Sequence, residues 1–517
     1  MKKYILTGAS VLALSIAGPA LAQNNTSDID QDGANLTATV SQTGQGDTST
    51  IVQEAADNVA TVNQSGGLGG SSDISQTGTA NTATVNQTDD GTDTYGAGLV
   101  PPSYTSSIDQ SGSNNTATVD QTSQTQLIAN SSTITQSGNT NIAGVTQFDD
   151  EQSSLIVQSS DGNFASVTQG VSQSGTDNSY NNDSQVFQGG AGSQSATVSQ
   201  TGRVNNSIVT QESIAQTASV DQSGTGNSSD VFQSGDGNNL ANVNQAGSDG
   251  TATVMQTVNA NGEEANITQL ATASSNSATI DQTGDADAGG AANGSLANIT
   301  QGGGFGNTAT TTQSGVGQFA DVVQDGSGNS SLVTQSSLAN IADVDQTGDD
   351  NESEIVQIGN NGFTGVSNAV FVTQVGNEND SFVVAQNGDG SNSVDVDQTG
   401  DLNTSDISQG AGLAAGNSIT LAQTGNGNSS LIDQALVSIS DGNRITATQN
   451  GDGNSSTISQ TGNFNEIDLL QDGIGNVSSI TQLGSSNAAT VSQLGDGDTS
   501  TVNQIGNGNS ATVTQGS

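Results

Sequence analysis

A glutamine recurs about every eleven residues along most of this chain, and the small residue four places before it alternates between serine and alanine. The first such residues are Ser27 and Ala38, and the alternation continues through Ser154 and Ala165. The glutamines of this stretch are Gln31, Gln42, Gln53, Gln64, Gln76, Gln87, Gln110, Gln121, Gln136, Gln147, Gln158 and Gln169. The true repeat is therefore about twenty-two residues long, with two similar halves. A fixed period of this size is typical of stacked repeat proteins.

Composition taken alone would indicate a disordered chain. The 517 residues include 67 glycines and 3% aromatics, and the formal net charge is −47. Low hydrophobicity with one-sided charge is typical of disorder. The periodicity contradicts that interpretation, because a valine or isoleucine stands two places before nearly every repeated glutamine. A solenoid grows in one dimension, so the length does not require several globular domains.

The segment Gln76–Gln87 shows the alternation of a β-strand. Asn81, Ala83, Val85 and Gln87 are two residues apart, which places them on one face of a strand. A helix is the competing interpretation of an eleven-residue period. It fails because the apolar positions have period two, glycine recurs in every unit, and threonine and valine dominate.

The segment between two strands has the pattern Q-x-G-x-x-N, which predicts a tight turn. Gly78 can adopt positive φ without steric cost, and Asn81 tolerates turn geometry. The same pattern spans Gln110–Asn115 and Gln136–Asn141.

These patterns predict an all-β fold: a β-solenoid of about twenty two-strand rungs, with about 22 residues per rung and amyloid-like stacking. At ~4.8 Å per rung, such a stack is on the order of 95 Å long. Identical amides stacked on one another can hydrogen-bond along the column. The candidate self-assembly ladder is therefore made of amide residues: Gln76, Asn81, Gln87, Gln110, Asn115, Gln121, Gln136, Asn141, Gln147, Gln493, Gln504, Asn509 and Gln515.

Residues 1–22 read as a secretory signal peptide. Lys2 and Lys3 precede an apolar run that is too short to span a bilayer, and Ala20–Ala22 fits the small-residue cleavage rule. No later stretch is expected to span a membrane. The first repeats start next to the cleavage site and the last ends at Gln515, without a charged or helical cap. Because unpaired strand edges template other strands, we expect end-to-end polymerisation.

The repeats divide into an arm at 23–240, a less regular region at 241–320 and a second arm at 321–517. One continuous solenoid with decorated turns is an equally good interpretation. Loops or irregular turns are predicted at 88–105 and near 122–130, 170–183, 283–296, 358–369, 410–417 and 435–443.

Few features of the sequence point to chemistry. Without histidine or cysteine a nucleophile–base pair is hard to build, so we predict no enzyme, no cofactor and no metal. Aspartates in glycine-rich turns could hold calcium, but their positions vary and the calcium-binding repeats have nine residues. Other aspartates and two phenylalanines stand just before the repeated glutamines and should point outward: Asp109, Asp120, Asp221, Asp281, Asp345, Asp397, Asp433, Phe187 and Phe232.

The charge balance argues against nucleic acid as a partner. The chain has 51 acidic and 4 basic residues, and cleavage of the signal peptide would remove Lys2 and Lys3. The mature chain would then carry 51 − 2 = 49 net negative charges. Phosphate backbones repel such a surface.

The half-repeat Q-x-G-x2-N-x-A-x-V-x-Q resembles the curlin repeat of bacterial curli fibre subunits. Copies span Gln76–Gln87, Gln110–Gln121, Gln136–Gln147 and Gln504–Gln515. The resemblance implies a secreted functional amyloid that forms adhesive pilus-like fibres on the bacterial surface, within a biofilm matrix. It also implies a nucleator subunit and an outer-membrane secretion pore with accessory factors. The chain departs from the family in having many more repeats and a very short leader after the signal peptide.

Two other functions fit a β-solenoid. One is a monomeric adhesin or surface-layer protein that binds a partner along its face. The other is an ice-binding solenoid, which needs a regular outward threonine array. Thr82 and Thr84 belong to such an array, but aspartate, serine and asparagine interrupt it from rung to rung.

Overall fold

The computed structural model describes most of the repeat region. The described residues are 24–66, 69–89, 104–123, 130–170, 180–235, 237–257, 262–284, 294–359, 368–386, 392–410, 416–435 and 442–516. The predicted signal peptide and most of each predicted loop lie outside these ranges. The regular elements within them are forty β-strands and no helix, which confirms the all-β prediction.

The chain forms two compact units, Met1–Asp249 and Gly250–Ser517. The first unit contains eighteen strands: β1 (Thr26–Ala34), β2 (Thr37–Gln42), β3 (Thr48–Ala56), β4 (Val59–Ser65), β5 (Ser71–Gln76), β6 (Thr82–Asp89), β7 (Thr105–Gln110), β8 (Thr116–Ser123), β9 (Ser131–Gln136), β10 (Ile142–Phe148), β11 (Ser153–Gln158), β12 (Phe164–Gln169), β13 (Asp183–Gln188), β14 (Ser195–Arg203), β15 (Asn206–Gln211), β16 (Thr217–Thr225), β17 (Ser228–Gln233) and β18 (Leu240–Gln245).

The second unit contains twenty-two strands: β19 (Thr251–Thr257), β20 (Glu264–Gln269), β21 (Ser277–Thr283), β22 (Leu296–Gly302), β23 (Thr308–Val316), β24 (Phe319–Asp325), β25 (Ser330–Leu338), β26 (Ile341–Thr347), β27 (Glu352–Ile358), β28 (Ala369–Val375), β29 (Asp380–Gln386), β30 (Ser393–Thr399), β31 (Thr404–Gln409), β32 (Ser418–Thr424), β33 (Ser429–Ala435), β34 (Arg444–Asn450), β35 (Ser455–Asn463), β36 (Glu466–Asp472), β37 (Val477–Ser485), β38 (Ala488–Gln493), β39 (Thr499–Ile505) and β40 (Ser510–Gln515).

Within each unit the odd-numbered strands form one parallel sheet, here called sheet A, and the even-numbered strands form another, sheet B. Consecutive strands of a sheet are in register, so that glutamine stands beside glutamine: Gln76 pairs with Gln110 in sheet A, and Gln87 with Gln121 in sheet B. One rung is therefore one strand of each sheet with its two turns. This arrangement is the predicted two-strand β-solenoid with rungs of about 22 residues.

The core lies between the two sheets of each unit. On β6 the side chains of Ala83, Val85 and Gln87 are buried, whereas Thr82 and Thr84 lie on the half-buried outer face. The alternation confirms the predicted faces, because successive strand residues point to opposite sides of a sheet. The strands of the less regular region alternate in the same way, and the three-part division of the chain stays a prediction.

The turns at Gly78, Gly112 and Gly138 correct one expectation, whereas the corresponding glycine of many other turns, such as Gly348 and Gly484, has the expected positive φ. In these three turns positive φ falls on the residue just before the turn asparagine, at Ala80 (φ 56°), Asn114 (φ 58°) and Thr140 (φ 57°), and not on Gly78. Position 78 is a glycine for a different reason. A Cβ built there would lie 1.6 Å from the carbonyl oxygen of Gly112 in the next rung. The glycine is needed because the stacked turns touch each other.

The alanine column of sheet B changes composition in the second unit, which the sequence analysis missed. From β28 to β36 the position four places before each glutamine is occupied by buried β-branched residues: Val370, Val394, Ile419, Ile445 and Ile467. These face a sheet whose corresponding column is still serine, so a larger side chain in one sheet is matched by a small one in the other. The spacing from the glutamines could have revealed this change.

Candidate functional site: buried glutamine and asparagine ladders

The repeated glutamines form a hydrogen-bonded ladder in each sheet. In sheet A of the first unit, Gln76 Nε2 donates to Gln110 Oε1 at 2.8 Å, and Gln110 Nε2 donates to Gln136 Oε1 at 2.8 Å. In sheet B, Gln87 and Gln121 make the same bonds at 2.9 and 2.8 Å. Each amide donates to the next rung in chain order and accepts from the previous rung. The ladders therefore have a direction.

The same glutamines join the two sheets. Besides its ladder bond, Gln110 Nε2 donates to the backbone carbonyl of Thr82 at 3.1 Å, and Gln136 Nε2 donates to that of Thr116 at 3.1 Å. These carbonyls belong to the first residues of strands in the facing sheet. Because both amide protons are used, a fully buried glutamine is satisfied without water.

A second ladder is made by the asparagine that precedes most of the strands, and the position it occupies is here called the asparagine column. The backbone N–H of Asn115 donates to Asn81 Oδ1 at 2.9 Å, while Asn81 Nδ2 donates to the carbonyl of Gly112 at 2.7 Å. The N–H of Asn141 donates to Asn115 Oδ1 at 2.9 Å in the same manner. The asparagine thus connects its own turn to the next turn by hydrogen bonds, and few backbone groups of the turns are left unsatisfied.

All of the predicted ladder residues lie in these columns. The structure brings them together in three groups: Gln76, Gln110 and Gln136 in sheet A; Gln87, Gln121 and Gln147 in sheet B; and Asn81, Asn115 and Asn141 in the turns. Gln493 donates to Gln515 at 3.0 Å, and Gln482 donates to Gln504 at 2.8 Å. The N–H of Asn509 donates to Asn487 Oδ1. Asn141 Nδ2, by contrast, is buried without a partner. The role of these residues in self-assembly stays a prediction.

One strand interrupts the ladder of sheet A. In β29 the position between Gln357 and Gln409 is occupied by Ala385, because Gln386 is displaced by one residue. Gln409 Oε1 is consequently buried with no hydrogen-bond partner. This defect weakens the ladder locally, since a buried acceptor without a donor loses its hydration without compensation.

The serine column of sheet A is buried but poorly hydrogen-bonded in the first unit. The hydroxyls without a partner there belong to Ser49, Ser72, Ser132, Ser154, Ser184, Ser207 and Ser229. In the second unit some hydroxyls bond each other in pairs, such as Ser430 with Ser456 at 2.8 Å. The serines therefore identify the strands of sheet A in the sequence, but their hydroxyls add little to the stability of that sheet.

The outer faces carry the charge. The aspartates predicted to point outward do so, and Phe187 and Phe232 are half-buried on the outer face of sheet A. Asp321 and Asp343 stand side by side on β24 and β26. Burial, followed by the neighbouring Asp345 carboxylate, raises the pKa of both groups. Stacked like charges of this kind oppose tight stacking at neutral pH.

Basic residues hardly offset this charge. Arg444 contacts Glu466 at 3.3 Å and Asp468 at 2.9 Å on an exposed surface. Exposed ion pairs contribute little to stability. Within the described ranges, no cluster of three or more carboxylates is arranged to hold a metal ion, and no helix is long and apolar enough to cross a membrane.

Comparison with known families gives one match. The model of the family described as Curlin associated repeat matches residues 304–336, 441–473, 463–495 and 484–516. A search of the curated proteins found none that matches the chain. The matched stretches cover β23, β24 and β34–β40, where the glutamine columns have the same register as elsewhere. The second unit therefore carries curlin associated repeats at these four positions, and the matches support the family resemblance that the motif suggested.

Proposed function

We propose that the chain is the structural subunit of a curli-like extracellular amyloid fibre, which grows by addition of rungs from further copies. The observation that carries this proposal is the directional amide ladder, because nearly every described rung presents amide donors on one side and acceptors on the other. A rung that can stack on its own neighbour can also stack on the equivalent rung of another copy. The family match supports the same function.

Export, anchoring and role in the matrix follow from the family by analogy. We propose that the mature chain is secreted, that a nucleator subunit and an outer-membrane pore with accessory factors act on it, and that the fibres serve in biofilm cohesion and surface adhesion. A fold alone does not establish these partners.

The direct test is assembly of the purified mature chain. Elongating fibres that bind an amyloid dye and diffract near ~4.7 Å along the fibre and ~10 Å across it are expected. A chain that stays monomeric at high concentration in sedimentation experiments would contradict the proposal and favour the monomeric adhesin.

A second test addresses the ladder itself. Gln504 is buried on β39, and Gln515 is the corresponding residue of β40. The double variant Gln504→Leu, Gln515→Leu should elongate several-fold more slowly, because leucine neither donates nor accepts a ladder bond. The matched control is Thr501→Ala, Thr512→Ala, which changes exposed residues of the same strands. Equal elongation rates for the two variants would argue against the amide ladder as the assembly surface.

The ice-binding alternative has limited support. Outward threonines of sheet B form a block on β2, β4, β6 and β8: Thr37, Thr39, Thr61, Thr82, Thr84, Thr116 and Thr118. The next strand replaces them with Ile142 and Gly144. Elsewhere in the described strands of this sheet they occur in smaller groups, such as Thr146 beside Thr168. A block of this size is small beside the glutamine ladders, which are present in both units.

A further inference from the structure

The asparagine column contains a buried carboxylic acid in the second unit. Glu263 occupies the column position before β20 and is only 3% exposed. Its Oε2 accepts the backbone N–H of Ser295 at 2.6 Å, and Ser295 is the column residue of the next strand, β22. Glu263 therefore takes the acceptor role that Asn81 Oδ1 has for Asn115.

An asparagine at this position also donates a hydrogen bond, and Glu263 can do the same only when its carboxyl is protonated. An asparagine Nδ2 donates to the carbonyl of the next turn, as Asn115 does to Gly138 at 2.7 Å. An ionised carboxylate can only accept hydrogen bonds, whereas a protonated one can also donate. The site is tightly enclosed, because a Cβ built on Gly294 would lie 1.6 Å from the carbonyl oxygen of Gly262.

We propose that Glu263 is a pH-operated latch of the solenoid: the rungs of β20 and β22 are held together when this carboxyl is protonated and loosen when it ionises. The inference is independent of the fibre function, since it concerns contacts within one chain.

Other charged residues near Glu263 do not account for the proposed pH dependence. On the described strands packed around the site, Glu264 of β20 and Asp281 of β21 are the charged residues, and both lie on outer faces; β19 and β22 carry none. Burial raises the pKa of Glu263 to about 7, against the opposing effect of the hydrogen bonds from Ser295. The latch therefore titrates near neutral pH.

The sign of the pH effect follows from linkage. The pKa of Glu263 is higher in the folded chain than its ordinary value of 4.5, so the folded state binds more protons between these two values. The stabilisation is fully present below pH 4.5 and is lost as the pH rises through about 7.

A second carboxyl of the same type occurs in the first unit. Asp47 occupies the column position before β3, is 4% exposed and accepts the N–H of Gly70 at 3.1 Å. Burial raises the pKa of Asp47, opposed by hydrogen bonds from Gly70 and Gly44. A carboxylic acid in the asparagine column is thus found in both units.

The experiment is hydrogen–deuterium exchange of the full mature chain between pH 5 and pH 8, corrected for the intrinsic pH dependence of exchange. The opening of the β22 segment should increase by about seventyfold over this range if the opened segment exposes Glu263 fully. Glu263→Gln should remove most of that increase. Glu264→Gln removes the same charge from the neighbouring outward residue and should behave like the unsubstituted chain.

Two outcomes would overturn the latch: a Glu263→Gln variant that keeps the full pH dependence, or a Glu264→Gln variant that loses it equally. If Glu263→Gln does not fold, the glutamate carboxyl carbons of the unsubstituted chain can be followed by NMR with selective labelling. A titration midpoint near neutral pH for one glutamate would support the proposal, and ordinary midpoints for all of them would contradict it.

Discussion

At the scale of single residues, two glycines show that close contact with the next rung, and not freedom of the backbone, explains why position 78 is a glycine. Gly78 lies in a turn where the next rung occupies the position of a Cβ, whereas Gly144 lies within β10 with nothing within 4 Å of a Cβ. The sequence predicted a special role for Gly78 but gave the wrong reason. A turn pattern in a sequence contains no information on what stacks above the turn, so the contact with Gly112 could not be foreseen.

Gly78→Ala should therefore destabilise the chain by about 1–3 kcal/mol or more, because a methyl group would overlap the Gly112 carbonyl. The matched control, Gly144→Ala, should be neutral or stabilising by up to about 1 kcal/mol, since it only restricts the unfolded chain. Denaturant midpoints of the two variants measure the difference. Similar midpoints would show that the stacked turns do not touch.

Thr311 is a second residue whose effect can be isolated. It stands on β23 in the column of valines and isoleucines, between Ile280 and Val333, and its buried hydroxyl has no partner. Thr311→Val should stabilise the chain by about 1–3 kcal/mol, because an unsatisfied polar group is replaced by a methyl of similar size. Thr310→Val, on the outer face of the same strand, is the control. Equal changes in the unfolding midpoint would indicate that the hydroxyl of Thr311 finds a partner in solution.

At the scale of the strand, much of the fold could be predicted, because a period of two assigns each side chain to a face. The columns of Val85, Gln87 and Asn81 lie where the alternation placed them. The position of Ala385 was missed, although the sequence contains the signal. Ser381 precedes Gln386 by five residues, whereas Ser72 precedes Gln76 by four. The strand follows the register of its neighbours, and the glutamine is displaced from the column.

This explanation predicts that the ladder of β29 can be repaired. Ala385→Gln should restore a donor for Gln409 Oε1, whereas Gln357 Nε2 already donates to the carbonyls of Ile341 and Asn368. One buried hydrogen bond gives a stabilisation of about 1 kcal/mol. Val384→Gln, on the outer face of β29, tests whether any added glutamine has this effect. No gain from Ala385→Gln in thermal unfolding would mean that the displaced Gln386 already fills the gap.

At the scale of the whole molecule, the ladders favour stacking and the charge opposes it. The 51 acidic residues far outnumber the 4 basic ones. Part of the repulsion is reduced in the turns of the second unit, where carboxylates and amides alternate in adjacent rungs. There the N–H of Asp349 donates to Asn377 Oδ1, and the N–H of Asn377 donates to Asp401 Oδ1, each at 2.8 Å. An amide between two carboxylates separates their charges by two rungs, or about 9.6 Å.

Asp321 and Asp343 lack such a spacer, so they should account for more repulsion than isolated aspartates. The double variant Asp321→Asn, Asp343→Asn should raise the unfolding midpoint at pH 7 by more than Asp73→Asn, Asp109→Asn does. The control removes the same charge from exposed positions whose register partners are uncharged. Equal shifts would show that only net charge matters.

The pH dependence of assembly combines these effects. Burial raises the pKa of Asp321, Asp343, Asp380 and Asp395, and neighbouring carboxylates add to this increase. Because these folded-state values lie above the ordinary one, the stabilisation from protonation grows as the pH falls through them and is lost as the pH rises again.

Elongation should therefore accelerate between pH 7 and pH ~4, close to the ordinary aspartate pKa of about 3.9. At pH 7, raising the salt concentration from 0.1 M to 1 M should also accelerate it, since the screening length falls from about 10 Å to about 3 Å. Seeded growth followed by dye fluorescence measures both rates. Growth rates that are indifferent to pH and salt would show that desolvation or ladder formation limits assembly, and that carboxylate repulsion does not.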